Sequence, residues 1–269
     1  MDLLSAALLG VVQGLTEFLP VSSSGHLILA RAFFGWDPGR FGLPFDVACH
    51  VGTLIAIVAY YRRDIVRLVV AAPGTVAGRD GDWERLGRLI VVGTLPVVVI
   101  GVLFADTIEH AVRSPGVVAL TLSVGGVGLL AAEWAGSRTR TADALGYGEA
   151  ALIGLAQAAA LAPGISRSGA TLTAAMYLGL RRDSAARFTF LLSLPAVVAA
   201  AAKEGLELVK VGPEGMPVAM FAVGLVTSAV VGYVTVTYFI RYLAAHTLRG
   251  FAAYRFALAA VTVAWLWSR

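Results

Sequence analysis

Glu17, Ser23, His26 and Arg167 are the side chains best suited to chemistry in this sequence, and each lies inside an apolar stretch. They belong to two related segments. The first reads Gln13-Gly-Leu-Thr-Glu17-Phe-Leu-Pro20-Val-Ser22-Ser23-Ser24-Gly25-His26. The second has Gln157, then Pro163-Gly164-Ile-Ser166-Arg167-Ser168-Gly169-Ala-Thr171. At one constant offset Gly10 pairs with Gly154, Gln13 with Gln157, Ser22 with Ser166, Ser24 with Ser168 and Gly25 with Gly169. A carboxylate, an imidazole, a guanidinium and several hydroxyls are costly in hydrocarbon unless they serve a purpose. Their conjunction points to chemistry on an anionic substrate within a membrane.

Gln13 and Glu17 are four residues apart, on one helical face, just before Pro20 ends the helix. Ser22, Ser23 and Ser24 follow where a new helix starts, and Ser166, Arg167 and Ser168 hold the same place after Pro163 and Gly164. A helix start offers free backbone N–H groups and a positive dipole end, which together form an anion site. Two such starts, with an arginine able to grip phosphate bidentately, suit a diphosphate. Gly25 and Gly169 permit close backbone approach. Each residue also has a plainer reading. The serines can serve as N-caps, Arg167 as a topology charge, Glu17 and Arg167 as a structural ion pair, and His26 and His50 as core histidines. The repeated spacing is more specific than any single member.

Composition identifies the medium. Of 269 residues, 58% are hydrophobic and only 14% charged, with a mean hydropathy of +0.80. Too few polar residues exist to hydrate a soluble surface of this size, so the chain is expected to be an all-α polytopic membrane protein. Apolar stretches of at least about 18 residues, enough to span a bilayer, run roughly 44–61, 85–105, 115–134, 184–203, 217–240 and 251–268. Two more, 2–36 and 147–181, are cut near the middle by Pro, Gly and Ser, leaving arms too short to cross. These are expected to be re-entrant hairpins whose irregular tips face each other inside the protein. Each half, about 1–140 and 141–269, then holds one hairpin and three spans. An odd number of crossings makes the halves an inverted-topology repeat within a single membrane domain. Cys49 is the sole cysteine, so no disulfide can form within one chain. The first segment, with Glu17 and no basic start, reads as mature structure rather than a signal peptide.

Arginines give the orientation. Arg62, Arg63, Arg67, Arg79, Arg85 and Arg88 surround one loop, Arg138 and Arg140 another, Arg181, Arg182 and Arg187 a third, and Arg241 and Arg249 a fourth. Three spans per half put all of these on one side, which the positive-inside rule makes cytoplasmic. The opposite loops, 106–113 and 203–214, mix signs; Arg31 and Arg40 also fall on that side. Both termini and the mouth of the first hairpin are then expected outside. The net charge of +4 is an orientation signal and gives no reason to expect nucleic acid.

These motifs, with Phe45-Asp-Val-Ala-Cys-His50-Val-Gly-Thr-Leu54 in support, closely resemble those of the bacterial undecaprenyl-diphosphate phosphatases, the bacitracin-resistance proteins. The resemblance covers essentially the whole chain. It implies six transmembrane helices with two re-entrant hairpins in the bacterial cytoplasmic membrane. It also implies removal of the terminal phosphate of a polyprenyl diphosphate with a divalent cation, Mg2+ or Ca2+, to recycle the cell-wall lipid carrier. The family's acidic pair is Glu or Gln, three residues, then Glu; here the first member is Gln13. Only Glu17 can therefore be a full carboxylate base or metal ligand.

Under that resemblance Arg167, the N–H groups after Ser22 and Ser166, and the cation would neutralise the phosphoryl oxygens. Ser23 is the candidate nucleophile, with Glu17 or His26 as general base or acid; attack by water or by His26 is the alternative. Ser22, Ser24, Gly25, Gly164, Ser166, Ser168, Gly169 and Thr171 would hold the diphosphate, and Gln13 would orient Glu17 or a water. The polyprenyl tail would leave between spans into membrane lipid, and a homodimer is compatible with the pattern. A lipid-carrier flippase on the same scaffold is the second reading. It explains the anion site but not a carboxylate beside a phosphate. The other membrane lipid phosphatase superfamily shares Ser-Gly-His but needs a histidine and an aspartate soon after its arginine, and nothing after Arg167 supplies that histidine.

Overall fold

The computed structural model describes residues 2–37, 41–211 and 218–268. Arg40 and part of the 203–214 loop, both used above for orientation, lie outside the described residues. Among those described, the regular structure is helical: α1 (Asp2–Thr16), α2 (Ser23–Phe34), α3 (Leu43–Tyr60), α4 (Arg62–Val76), α5 (Asp82–Ala111), α6 (Pro115–Ala135), a 3-10 turn (Ala142–Ala144), α7 (Tyr147–Ala159), α8 (Arg167–Tyr177), α9 (Arg182–Val211), α10 (Val218–Ala245) and α11 (Arg249–Trp267).

Five of these helices, α5, α6, α9, α10 and α11, are long and apolar enough to cross a membrane alone; α3 qualifies only together with α4. The protein is therefore a polytopic helical membrane protein, as its composition required. The two interrupted stretches become the short pairs α1/α2 and α7/α8, and each pair folds back on itself. α4 is the main departure from the sequence-based expectation, in which its residues form a loop between spans. Ile65, Leu68 and Ala71 turn inward while Val66, Val69, Val70 and Val76 are exposed. Arginines interrupt the apolar run, so it never reads as a span. The chain bends by 83° between α3 and α4.

The repeated glycines Gly10 and Gly154 explain how the hairpins are seated. A Cβ on Gly10 would lie 1.9 Å from the Thr227 hydroxyl and 2.7 Å from the Gly224 carbonyl on α10. A Cβ on Gly154 would lie 2.2 Å from the Gly93 carbonyl on α5. Small residues allow this backbone approach, which gives membrane helices their dispersion contacts. The first hairpin thus packs on a helix of the second half, and the second hairpin on a helix of the first.

Several arginines of the arginine-rich loops are also structural. Buried Glu133 at the end of α6 accepts from Arg138 (2.8 Å), from Arg182 and from the Leu248 N–H (2.8 Å). Arg140 grips both oxygens of Glu149 at 2.7 and 2.9 Å, clamping the start of α7. Arg187 does the same to Asp64.

Gly10→Ala and Gly154→Ala should each cost about 1–3 kcal/mol through overpacking. Gly148→Ala, whose Cβ would point into open space, should cost almost nothing. Thermal unfolding of the detergent-purified variants checks this; equal melting temperatures for all three would show that the close helix contacts are absent.

Candidate active site

Both helix breaks are built alike. Ser22 and Ser166 are N-caps of α2 and α8, and both occupy the left-handed region, at φ 74° and 73°. Such a conformation costs a non-glycine residue on the order of 1–3 kcal/mol and persists only where its surroundings over-determine it. Here the surroundings do. Ser22 Oγ accepts from Gly25 N (3.3 Å) and, across the molecule, from Gly164 N (3.1 Å). Ser166 Oγ accepts from Gly169 N (3.1 Å). Ser24 and Ser168 bring their hydroxyls to 3.4 and 3.2 Å from these caps, and Ser168 donates to the Leu19 carbonyl at 3.0 Å. Gly164 sits at φ +93°, where a side chain would also strike Thr121. The two tips meet at the centre of the helix bundle, as expected.

Glu17 is the hub where they join. Its Oε2 accepts from Ser23 Oγ at 2.6 Å and from Gln13 Nε2 at 2.9 Å. Its Oε1 accepts from the Arg167 guanidinium, contributed by the other half of the chain. His50 Nε2 stands 3.6 Å from Oε2, while its Nδ1 bonds the Asp46 carbonyl. The Phe45–Leu54 motif therefore contributes to the site. A cavity of about 330 Å³ opens over this hub, lined by Glu17, Ser22, Ser23, Ser24, Ser166 and Arg167 among others. Thr171 lines a separate, smaller void that also reaches Glu17 and Arg167, and its hydroxyl bonds the Arg167 carbonyl.

His26 takes a different position. Its Nδ1 meets the Ser22 carbonyl and its Nε2 the Tyr254 hydroxyl, both at 2.7 Å, and it does not line the cavity. Because the carbonyl can only accept, Nδ1 donates to it, and Nε2 is taken up by the Tyr254 hydroxyl.

Three contributors went unrecognised in the sequence. Asp46 accepts from Arg31 and from Arg113 (3.2 Å), and Asp46 and Arg113 both line the cavity. Arg113 belongs to a loop that read only as mixed in sign. Arg255, within the last span, is 0% exposed. Its guanidinium donates to the carbonyls of Pro20 (3.1 Å) and Gly164 (2.8 Å) at the two breaks, to Ile165, and to Thr121 and Leu122 on α6. An arginine inside a span was itself a signal; what it holds lies far away in sequence.

Arg255→Met should destabilise the protein and its activity together, because each abandoned buried carbonyl costs about 1–3 kcal/mol. Arg255→Lys should recover only part, having fewer and less spread donors. A methionine variant that melts and turns over like wild type would remove Arg255 from this role.

Comparison with known proteins places the chain. The chain is 51% identical over 269 residues to the undecaprenyl-diphosphatase of Rubrobacter xylanophilus, covering 99% of both proteins. It is 43% identical over 270 residues to that of Moorella thermoacetica, covering both completely, and 45% identical over 267 residues to that of Alcanivorax borkumensis, covering 99% of this chain and 100% of that one. The model of the bacitracin resistance protein BacA family matches residues 6–261, taking in both helix breaks and the arginine beneath them, and the chain belongs to that family.

Proposed function

We propose that this protein hydrolyses undecaprenyl diphosphate to undecaprenyl phosphate and inorganic phosphate, recycling the lipid carrier of peptidoglycan synthesis and so conferring bacitracin resistance. The relatives' shared activity supports this. The observation that carries it is the single carboxylate of Glu17 holding a serine hydroxyl and an arginine at the floor of one cavity. A hydroxyl bonded to a carboxylate base is an activated nucleophile. Two helix N-termini and an arginine alongside form a seat for the phosphoryl oxygens on which charge builds.

In this reading Arg167 exchanges its bond to Glu17 for one to the terminal phosphate. The exchange frees Glu17 to accept the Ser23 proton at Oε2 as Ser23 Oγ attacks the terminal phosphorus. The bond from that phosphorus to the bridging oxygen breaks, and undecaprenyl phosphate departs carrying the proton from Glu17 on the freed oxygen, which restores the carboxylate. Water then attacks the phosphoserine, giving up its proton to regenerate Ser23 and release phosphate. Ser23 is preferred to His26 as nucleophile because it lines the cavity and touches Glu17, whereas His26 is engaged with Tyr254.

A divalent cation, Mg2+ or Ca2+, fits this reading. Among the described residues no three His, Cys, Asp or Glu side chains cluster into a cage. Gln13, whose Nε2 bonds Glu17, keeps a buried Oε1 acceptor without a hydrogen-bond partner among the described residues. One carboxylate and one amide oxygen, completed by water and substrate phosphate, match the habits of a hard cation that keeps part of its hydration. Bound there, it would neutralise phosphoryl charge.

The inverted repeat belongs to the same reading. It is supported by the matched serines at φ 74° and 73° and by the exchange of hairpin seats between the halves. With the arginine-rich loops cytoplasmic, the cavity opens to the outer face of the cytoplasmic membrane and both termini lie outside.

Arg167→Ala should lower phosphate release from undecaprenyl diphosphate by about a thousandfold or more, the scale set by electrostatic clamps in phosphoryl transfer. Arg167→Lys should recover little, since a point charge cannot reproduce the fork. Activity in purified, folded Arg167→Ala close to wild type would overturn the site.

Sidedness has its own test. In a Cys49→Ser background, Gly116→Cys should react with an impermeant thiol reagent on intact cells and Asp80→Cys should not. The reverse pattern would turn the cavity toward the cytoplasm.

A further inference from the structure

The proposed reaction leaves one repeated residue without a task. Gln157 occupies in the second half the position of Gln13 in the first, and both are almost completely buried, at 1% and 0% exposure. Gln13 donates its amide to Glu17. The offset that pairs the two glutamines pairs Glu17 with Leu161, so Gln157 has no carboxylate waiting for it. Among the described residues neither its Nε2 nor its Oε1 has a hydrogen-bond partner.

That amide lines the same 330 Å³ cavity as Glu17, Ser23 and Arg167. The lining contributed by α5, α9 and the turn after α7 is apolar: Val97, Ala160, Leu161, Val197 and Ala200. A buried amide with nothing to bond is unfavourable in hydrocarbon, and a polar group kept at such a place has a partner that comes and goes. The charge on this side of the cavity selects that partner. With leucine in place of the glutamate, the second half contributes the Arg167 guanidinium and the positive end of α8, a field that favours an anion over a cation.

We infer that the Gln157 carboxamide donates from Nε2 to a phosphoryl oxygen of the diphosphate headgroup, as a second-half binding residue beside Arg167. The inference rests on the function proposed above and deepens it. The first half supplies the groups that move a proton, Glu17 and Ser23; the second supplies donors that hold the anion, Arg167 and Gln157.

Gln157→Met keeps the length and removes the polarity, and Gln157→Glu keeps the length and adds a negative charge. Both are compared with wild type for thermal stability, for KM and kcat with undecaprenyl diphosphate, and for binding of a non-hydrolysable prenyl methylene-diphosphonate. Because apolar neighbours accept methionine, Gln157→Met should melt at or above the wild-type temperature. It should raise KM and weaken diphosphonate binding about ten- to hundredfold, the value of a hydrogen bond to a charged group, with a smaller change in kcat. Gln157→Glu should be worse, its carboxylate facing the phosphate. A methionine variant with wild-type KM and binding would show an amide that serves only water and overturn the inference. A glutamate variant that binds more tightly as divalent cation is raised would assign Gln157 to the cation and overturn it too. Failure of the wild type to release phosphate would instead defeat the proposed function, while diphosphonate binding would still report on Gln157.

Discussion

Hydrocarbon gives nothing to a backbone carbonyl or N–H, and this chain breaks two helices where water is scarce. The structure depends on satisfying those breaks from within. Arg255 supplies the carbonyls of Pro20, Gly164 and Ile165 and anchors them to α6 through Thr121 and Leu122. Ser22 takes the Gly164 N–H, and the Thr121 hydroxyl takes the Pro163 carbonyl at 2.7 Å. Each bond is ordinary, but the set ties tip to tip. These irregular segments are stable here because their carbonyls have been claimed from behind.

That arrangement explains where charge can be placed. The Arg255 cation spends its donors on carbonyls of the breaks, so positive charge lies behind both helix starts and adds to their dipoles. In front of them Glu17 and Arg167 neutralise each other. Phe18, next to Glu17 in sequence, meets Phe190 edge-on at 5.8 Å, and Phe190 in turn meets Tyr61 and Phe239. The ion pair therefore has an aromatic layer packed beside it, and little water reaches it from that direction. Screening there is weak, so the partner exchange proposed above would carry more free energy than it would in water.

Local sequence spoke clearly where the signal was local. Pro20 and Pro163–Gly164 marked the breaks, the serines after them marked helix starts, and Gln13 and Glu17 shared a face because they are four residues apart. Gly10 and Gly154 were visible as a repeat, though not as the contacts they make on α10 and α5. Other features depended on partners distant in sequence. Arg255 reads as one charge in an apolar span until five carbonyls from three segments surround it. His26 sits in the right motif, yet Tyr254 on α11 takes its Nε2. α4 was hidden for another reason: its valines and arginines average to a neutral hydropathy, which resembles a loop when only spans are sought.

Duplication accounts for the rest. Two identical hairpins meeting tip to tip would offer identical groups to a substrate that is itself asymmetric, a diphosphate with one end tethered to lipid. In the proposed mechanism, divergence at two of the differing positions resolves this. Glu17 faces Leu161 across the repeat, and Ser23 faces Arg167. Both changes remove a proton-handling group from the second half and leave it apolar or cationic. Ser22 with Ser166 and Gly25 with Gly169 stay matched, because both tips still need the same cap and the same close turn. The backbone is conserved between halves where it must fold alike, and the side chains part at positions that, in the proposed reaction, hold phosphate on one side and attack it from the other.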